Sequence, residues 1–260
     1  MEVCIRLIKM CIKKETEYRT NFILLCFAVT PIRLIQLLFA WIIAKKMNGF
    51  NGWMPYDMVF LYSVFMVSYS FAQMFFRHFR FLEEMVVKGT LDTYLLRPQP
   101  VLISLIFYNT HIMEIFSQLF PSIIILIISC MKVNVIWDLF KIFVLIQTLI
   151  GGSLLQSCIF ILIGCLSFFT IKSSWLGEFY YSFRDYMSYP ISMFGNKVLQ
   201  FLTYVFPLAF VSYYPARFIL EKEDPNNVKN FLTLPVGIFI TIITIIIWRL
   251  SLKKYTSTGN

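Results

Sequence analysis

The chain has 260 residues, of which 58% are hydrophobic and only 14% are charged, and 28 of them are phenylalanine. A soluble domain of this length needs more polar surface than that composition supplies. Several apolar runs exceed the roughly 20 residues that cross the hydrocarbon core of a bilayer, and the short alternating segments of a membrane β-barrel do not occur. The composition therefore predicts an all-α polytopic membrane protein whose residues 1–260 form a single transmembrane domain.

The formal net charge of +9 does not indicate a nucleic-acid partner. Most lysines and arginines stand at the ends of apolar runs, where they act as topology signals. The six cysteines show no CxxC spacing and lie mostly in or beside apolar segments, where a thiol behaves as a small hydrophobic group. We therefore predict no metal site and no disulfide framework.

Residues 1–20 predict an amphipathic helix that lies in the membrane interface. Glu2, Arg6, Lys9 and Lys13 follow one another at spacings of four, three and four, which places them on one polar stripe. A basic stripe opposite an apolar one suits contact with anionic membrane lipids. The apolar run that follows is too long for a cleavable signal peptide.

Four apolar runs predict the first four spans. They lie at residues 22–44, 57–76, 101–131 and 138–169. The third and fourth runs are longer than a bilayer is thick, so tilt or kinks must absorb the excess. Pro121 and the Gly151-Gly152 pair are natural places for bends.

Residues 77–100 separate the second run from the third and predict a helix, a break and a second, short helix. Phe79, Leu82 and Met85 or Val86 fall on one side of the first helix, and Glu83 and Glu84 lie on or beside the opposite side. This pattern is typical of an amphipathic helix at a surface.

The end of this stretch is punctuated by helix-breaking residues. Gly89 stands where a left-handed helix terminator belongs, and Thr90 can cap the second helix. Leu91, Tyr94 and Leu95 share a face of that helix, and Pro98 and Pro100 end it. The pattern alone fits equally a rigid elbow that docks into another protein and a plain interfacial helix.

The region 172–220 leaves the fifth span open. Residues 175–195 are aromatic but carry Glu178, Arg184 and Asp185, whereas 198–220 is more apolar but is interrupted at Pro207 and Pro215. Either choice gives six spans, the last at 231–250. If the N-terminus is inside, thirteen span-flanking lysines and arginines face the cytosol and five face outward. The positive-inside rule thus predicts that both termini and residues 77–100 are cytosolic.

Charged residues at membrane depth are costly and often mark a cavity or a partner. His111, Glu114 and Gln118 stand at i, i+3 and i+7, on one face of a continuous third span, where they could line a substrate route or hold two helices together. Arg33 of the first span could pair with Glu114 or reach the interface.

Two further carboxylates fall in the proposed fifth span. Glu178 and Asp185 are seven residues apart and share one helical face. A gate ion pair and a charged belt at the interface are both consistent with this spacing.

Two motifs stand in the breaks between apolar runs. Residues 89–98 read GTLDTYLLRP, and residues 206–217 run from Phe206-Pro207-Leu208 to Pro215-Ala216-Arg217. The first resembles the cytosolic signature G-x-L-D-x-x-L-x-R-P of ABC type-2 exporter permeases, and the second resembles the signature near their last span. The closest branch is that of bacterial viologen and multidrug exporters. The order of the motifs and the six-span layout agree with the family over essentially the whole chain.

The resemblance implies a non-catalytic permease subunit in a bacterial cytoplasmic membrane. In that family the first elbow is a coupling helix in a cleft of a separate ATPase subunit, so the contact region would be Glu83, Glu84, Gly89, Thr90, Asp92, Arg97 and Pro98. The family pattern also favours 175–195 as the fifth span and a re-entrant outer hairpin at 196–218, broken at Pro207 and Pro215. ATP and Mg²⁺ would bind to the partner ATPase, since this chain has no GxxxxGK[ST] loop.

The implied machine exports an amphipathic small molecule, drug, peptide or lipid, and pairs with a second permease, identical or related. The alternative is a self-powered secondary transporter or channel that uses the intramembrane acidic residues, but the inverted repeats of such proteins are not visible here. An intramembrane enzyme would need a catalytic constellation, and the sequence contains no HExxH and no GxSxG. The sequence does not identify the cargo.

Overall fold

The computed structural model describes residues 52–111, 115–170, 174–222 and 228–256, and ten isolated positions between 24 and 45. At Ser174, Phe183, Asp185 and Ser188 it describes the backbone alone. The predicted interfacial helix at 1–20 lies outside the described residues, and so does most of the predicted first span.

Every regular element among the described residues is helical. The α-helices are α1 (Pro55–Phe76), α2 (Leu82–Val87), α3 (Asp92–Leu95), α4 (Val101–Tyr108), α5 (Phe120–Lys132), α6 (Leu139–Leu166), α7 (Ser174–Arg184), α8 (Asn196–Gln200), α9 (Tyr213–Ile219) and α10 (Thr233–Leu252). Tighter 3₁₀ turns cover Arg77–Phe81, Asp185–Ser188, Ile191–Phe194, Pro207–Phe210 and Val228–Phe231, and wider π turns cover Ile115–Leu119 and Phe201–Val205.

Four described helices are long and apolar enough to cross a membrane. They are Pro55–Val87, Ile115–Lys132, Leu139–Leu166 and Thr233–Leu252. A fifth candidate is the pair Asn196–Val205 and Pro207–Ile219, which is bent by 86° and is either a broken span or a re-entrant loop. The chain is therefore a multi-pass membrane protein, and the predicted second, fourth and last spans coincide with helices.

The predicted third span is not continuous. Helix α4 ends at Tyr108, residues 109–111 are not helical, and the next described helical residue is Ile115. Asn109 and Thr110 bond the carbonyls of Leu105 and Ile106 with their side chains, which is how short polar side chains compete with the helical backbone. The break is here and not at Pro121, which sits in the first turn of α5, where a proline is tolerated.

The predicted fifth span at 175–195 is not confirmed as a span. Helix α7 has 11 residues and passes into a 3₁₀ turn that ends at Ser188. A second 3₁₀ turn follows Pro190, and Gly195 then adopts a φ of 87°, which an L-residue rarely takes. The chain from 174 to 205 is thus a series of short helical pieces.

Helix α6 is the central helix, and it runs through Gly151 and Gly152 without a break. A Cβ on Gly151 would lie 2.7 Å from the backbone of Thr233, and one on Gly237 would lie 2.9 Å from the Gly151 carbonyl oxygen. The glycines therefore allow the backbones of α6 and α10 to approach closely, as small residues do between membrane helices. The helix is continuous at this pair.

Burial separates core helices from peripheral ones. In their most apolar windows the spans containing α1 and α6 are 72% and 67% buried, against 28% and 22% for those of α5 and α10. The outer faces of α5 and α10 are apolar, which suits contact with lipid tails.

Contacts along α1 define two ends of the molecule. At one end, which we call the elbow end, α1 continues into residues 77–100, and we call these residues the elbow. At the far end, the start of α1 approaches the α5–α6 connection, where the rings of Phe60 and Trp137 lie 6.3 Å apart. There Lys222 forms an ion pair of 2.6 Å with Asp57. The segment 196–219, which we call the bent segment, therefore ends at the far end.

Candidate functional site

The elbow turns at Gly89, as the sequence predicts. Gly89 has a φ of 69°, and its N–H donates to the Val86 carbonyl at 3.2 Å, a pattern that ends a helix with a glycine in the left-handed conformation. The predicted capping role of Thr90 is wrong. Its hydroxyl donates backward to the Met85 carbonyl at 3.3 Å, while Leu91 stands at the cap of α3 and makes no side-chain cap.

The inner face of the elbow packs against the ends of two spans. Phe79, Leu82 and Leu91 are buried, as the predicted apolar faces require. The Phe79 ring makes an edge-to-face contact with Trp248 of α10, 5.4 Å between centroids. A Cβ on Gly164 of α6 would lie 3.1 Å from the same Phe79. The elbow therefore packs against the ends of α6 and α10.

The polar signature residues of the elbow contact other parts of this chain. The Tyr255 hydroxyl, just after α10, donates to the Asp92 carboxylate at 2.9 Å. The Arg97 guanidinium lies 4.8 Å from the ring centroid of Tyr94 and 4.5 Å from that of Tyr108, within the range of cation–π attraction. Asp92 and Arg97 thus fix α3 to the end of α10 and to α4.

The outer surface of the elbow is apolar at its centre. Leu96 is 87% exposed and Leu95 is 41% exposed. Further exposed positions around them are Phe81, Glu84, Val87, Lys88, Thr90 and Pro98. Glu83 is partly buried, and Glu84 forms an exposed ion pair of 3.2 Å with Lys88. Of the predicted contact residues, Glu84, Thr90 and Pro98 face outward, whereas Gly89, Asp92 and Arg97 are partly buried.

His111 and Gln118 do not lie on one face of a continuous third span. His111 is not helical, and its N–H donates to the Met74 carbonyl of α1 at 2.8 Å. Gln118 is buried in the π turn that follows the break. Glu114 lies outside the described residues, as does Arg33. The interruption at Asn109 is the reason that His111 and Gln118 do not share one helix face.

Glu178 belongs to the elbow end. Its carboxylate forms an ion pair with Arg80 of the elbow and is 72% exposed. The Arg80 guanidinium also stacks 4.2 Å from the ring centroid of Tyr181. Asp185 begins a 3₁₀ turn, and only its backbone is described. The structure thus shows Glu178 fastening α7 to the elbow, at a mostly exposed position.

A buried polar cluster that we did not predict lies between α1, α6 and α7. The guanidinium of Arg184, 4% exposed, stacks 4.6 Å from the ring centroid of Tyr69 and 5.1 Å from that of Tyr181. Tyr181 exchanges hydrogen bonds of 3.0 Å with Gln73, and the Tyr180 hydroxyl donates to Gln156 at 3.3 Å. The sequence pattern that could have indicated this cluster is that Gln73 and Gln156 each lie within an apolar run. Uncharged polar groups at membrane depth also need partners.

Beside this cluster lies an apolar cavity of about 250 Å³. Its walls are formed by helix α6, helix α7, the first arm of the bent segment (Asn196–Val205) and the bend itself, through Ile159, Leu162, Ile163, Leu166, Leu176, Phe179, Tyr180, Phe201 and Phe206. A smaller cavity of about 130 Å³ shares Ile159, Leu162 and Phe206 with it. Tyr180 belongs to both the cavity wall and the polar cluster, so the two adjoin each other.

The prolines of the bent segment have different roles. Pro207 follows directly after the bend and begins a 3₁₀ turn. Pro215 does not break a helix, because it is the third residue of α9, where the absence of an N–H costs little. All residues from Leu208 to Arg217 are buried. Among the described residues, no group of three or more His, Cys, Asp and Glu side chains could hold a metal ion.

Comparison with known protein families gives one match. The family described as "ABC-2 family transporter protein" matches residues 31–259. Comparison with curated proteins and with solved structures gives no match. The family match covers most of the chain, including the elbow, the central helix and the bent segment. The chain therefore belongs to the ABC-2 transporter family, as a membrane permease component of an ABC transporter, a type of subunit that associates with an ABC ATPase.

Proposed function

We propose that this chain is the permease subunit of an ATP-driven exporter and that the elbow is its coupling element. Separate nucleotide-binding subunits hydrolyse ATP and press on residues 77–100 from the cytosol. A second permease, identical or related, completes the pathway in a bacterial cytoplasmic membrane. The observation that carries the proposal is the exposed apolar centre of the elbow, formed by Leu95 and Leu96. The opposite face of the elbow is packed against the spans.

The contacts of the elbow support the transmission of force. Phe79 touches both α6 and α10, and Asp92 is bonded to Tyr255 at the end of α10. Arg80 joins the same structure to Glu178 of α7. Because close-packed interiors have low compressibility and transmit strain, a displacement of the elbow moves the ends of α6, α7 and α10 together.

The apolar cavity supports an amphipathic cargo. Its wall is almost entirely hydrocarbon and aromatic, which suits the apolar body of a ligand. The polar cluster around Arg184 adjoins it at Tyr180 and would face the polar part of the cargo. Because the guanidinium is cationic, we expect the cluster to favour neutral or anionic groups over cations.

We further propose that the bent segment is a re-entrant hairpin that enters from the outer side. A Cβ on Gly152, near the middle of α6, would lie 2.8 Å from Ser68 and 3.2 Å from Val211. Val211 follows the bend, whereas Lys222 beyond α9 reaches Asp57 at the far end. The residues just after the bend therefore lie beside the middle of α6, and the chain leaves the bent segment at the far end. This is the geometry of a re-entrant hairpin that covers the apolar cavity.

Leu96→Glu tests the coupling proposal with little risk to folding, because the side chain is 87% exposed. Ile136→Glu is its matched control, since Ile136 is 86% exposed in the connection at the far end. The tagged full-length protein is purified in mild detergent, and co-purifying chains are identified by mass spectrometry and assayed for ATP hydrolysis. We expect a P-loop ATPase with the wild type and with Ile136→Glu, and a loss of about tenfold or more with Leu96→Glu.

A crosslink defines the contact directly. Leu96→Cys, treated with a short bifunctional reagent, should join the permease to the ATPase, and a cysteine at Ile136 should not. Equal recovery of the ATPase with both glutamate variants would overturn the elbow as the docking site. Proton-dependent transport by the purified chain alone in liposomes would favour the secondary transporter instead.

A further inference from the structure

The smaller cavity continues the apolar cavity along α6. The two share Ile159, Leu162 and Phe206 in their walls, so they adjoin each other. Leu155, Ile159, Leu162 and Leu166 stand at i, i+4, i+7 and i+11 of α6, which places them on one stripe that runs past both cavities. The two cavities therefore follow α6 from Leu155 to Leu166 as one apolar slot, which we call the slot.

The length of the slot matches the depth of one leaflet. From Leu155 to Leu166 the helix advances by eleven residues, or roughly 16 Å at about 1.5 Å per residue. Half of a hydrocarbon core of about 30 Å is about 15 Å. Leu166 ends α6 at the elbow, whereas Leu155 is close to Gly152 near the middle of the helix. The slot thus has the depth of the leaflet next to the elbow, which is the inner leaflet in the proposed orientation.

The mouth of the slot faces lipid. Among its described lining residues, the exposed ones are all apolar, namely Leu166, Phe179, Phe201, Val205 and Phe206. Apolar side chains exposed at membrane depth lie against lipid tails. A ligand therefore enters the slot sideways from the bilayer and not from the cytosol.

The end of the slot away from the elbow is narrow and closed. The cavity there has a volume of about 130 Å³, against about 250 Å³ for the apolar cavity. Leu155 and Leu208 are buried at this end, and Pro207 at the bend and Ile240 of α10 complete its wall. A long slot with a narrow, closed end fits one flexible chain, whereas two chains side by side or a rigid ring system need more width.

We propose that the slot binds the single alkyl chain of an amphiphile that enters from the inner leaflet. The assignment of this amphiphile as cargo rests on the proposed exporter function. The chain end lies near Leu155, and the polar group lies in the wider cavity beside Tyr180, which joins the polar cluster. An amphiphile in the inner leaflet already has this orientation, with its chain end toward the middle of the bilayer, so it enters without turning over.

Shape decides which chains bind. Lipid tails are as apolar as the slot, so the transfer of a chain from the bilayer gives no hydrophobic gain. The atoms that line a void lack contacts on one side, and a chain that fills the slot restores these contacts. We therefore expect a preference for long, unbranched chains over short chains and over fused rings.

The test uses the full-length protein alone in phosphatidylcholine nanodiscs. The probes are hexadecanoic acid with a diazirine at its chain end and diacyl phosphatidylcholine with the same group at the end of one chain. After irradiation, mass spectrometry of peptides locates the labelled residues. Because Leu155 and Leu208 are buried, lipid on the outer surface does not reach them. The filling variant is Leu162→Trp, at the junction of the two cavities, and its control is Ile150→Trp, at an exposed position of the same helix.

We expect the fatty-acid probe to label the peptides around Leu155 and Leu208. Unlabelled hexadecanoic acid should displace the probe, and octanoic acid should not. Leu162→Trp should lower the labelling about tenfold, because the indole occupies the volume of the chain, and Ile150→Trp should leave it unchanged. Leu162→Ala widens the junction and should admit a branched-chain probe that the wild type excludes, a gain that misfolding does not produce.

Unchanged labelling at Leu155 in Leu162→Trp would overturn the slot as the binding site. Equal labelling by the diacyl probe would overturn the single-chain assignment, since ordinary bilayer lipid would then fill the slot. No ATPase is present in this experiment. A failure of the coupling proposal, seen as equal ATPase recovery with Leu96→Glu and Ile136→Glu, would therefore leave the labelling unchanged, and the two failures are distinguishable.

Discussion

The elbow and the bent segment are both interruptions between apolar runs, yet the fold uses them in opposite ways. The elbow keeps its signature polar residues inward, with Asp92 on Tyr255 and Arg97 on two tyrosines, and exposes Leu95 and Leu96. The bent segment buries every residue from 208 to 217. Interruption by glycine and proline therefore does not indicate by itself whether a segment presents a surface or fills the interior.

The difference follows from what surrounds each segment. The bent segment is packed against both α6 and α10. Val211 lies close to Gly152 of α6, and Thr233 at the start of α10 donates its hydroxyl to the Phe210 carbonyl at 2.8 Å. Among the described residues, the elbow contacts the interior through one face, which carries Phe79, Leu82 and Leu91. We therefore expect substitutions near the bent segment to affect folding and those on the outer elbow to affect a partner.

The largest expected effect tests how tightly the surroundings of the bent segment are packed, compared with those of the elbow. Gly151→Ala places a Cβ 2.7 Å from the Thr233 backbone, which cannot move without shifting α10 and the bent segment. Overpacking of this kind costs about 1–3 kcal/mol, and we expect a clear fall in the thermal midpoint of the purified protein.

Gly164→Ala is the matched substitution at the elbow end of the same helix. Its Cβ would lie 3.1 Å from Phe79, a distance that a shift of a few tenths of an ångström relieves. We expect a smaller loss of stability than for Gly151→Ala. If the two alanine variants unfold at the same temperature, the elbow is as tightly confined as the bent segment and the comparison fails.

The second expected effect concerns the ion pair that anchors the bent segment. Asp57→Asn keeps an acceptor for the Met54 N–H, which now donates to the carboxylate at 2.7 Å, but removes the charge opposite Lys222. Both side chains are largely buried, at 9% and 19% exposure. Leaving a buried cation uncompensated costs about 1–3 kcal/mol, measured as a fall in the free energy of unfolding.

Lys141 provides a comparison for that anchor. Lys141 and Glu221 form another ion pair, of 2.5 Å, and the Glu221 side chain is 67% exposed. Because solvent screens this pair more strongly, Glu221→Gln should destabilise the protein less than Asp57→Asn. The reverse order would show that the stronger anchor at the far end is the Lys141–Glu221 pair and not the Lys222–Asp57 pair.

Much of the elbow could be predicted from sequence because its determinants are local. The φ of Gly89 and the apolar faces of the two short helices follow from residues within a few positions of each other. The partners of Asp92 and Arg97 could not be predicted, since Tyr255 is 163 residues away from Asp92. The family signature predicts a functional role for these residues but does not show that they bond within the chain.

The arrangement of the polar residues proposed for the pathway was harder to predict, for a related physical reason. The face proposed for His111 and Gln118 assumed a continuous helix, and side-chain competition at Asn109 and Thr110 interrupts it. The cluster around Arg184 depends on α1, α6 and α7 meeting in space. Helical periodicity specifies which residues share a face, but it does not specify which faces meet.

A smaller effect is expected for the bond that joins the elbow to α10. Tyr255→Phe removes one hydrogen bond at a partly exposed site, which costs about 1 kcal/mol. Asp92→Ala removes the acceptor of the same bond and should cost a similar amount. The double variant should cost little more than either alone, because both remove one interaction. Additive losses in this double-mutant cycle would mean that Asp92 stabilises the elbow through other contacts.

The smallest expected effect on stability concerns the exposed surface of the elbow. Glu84→Gln breaks an ion pair with Lys88 that is 63% to 68% exposed, and an exposed pair at i, i+4 contributes about 0.3–0.5 kcal/mol. The free energy of unfolding should therefore change by less than for Asp57→Asn, although each variant neutralises one carboxylate beside a lysine. Any larger loss of ATPase binding by Glu84→Gln then reports on the partner surface, because the fold is unaffected. A loss of stability equal to that of Asp57→Asn would instead make Glu84 a structural residue, and the outer elbow would no longer be a free docking surface.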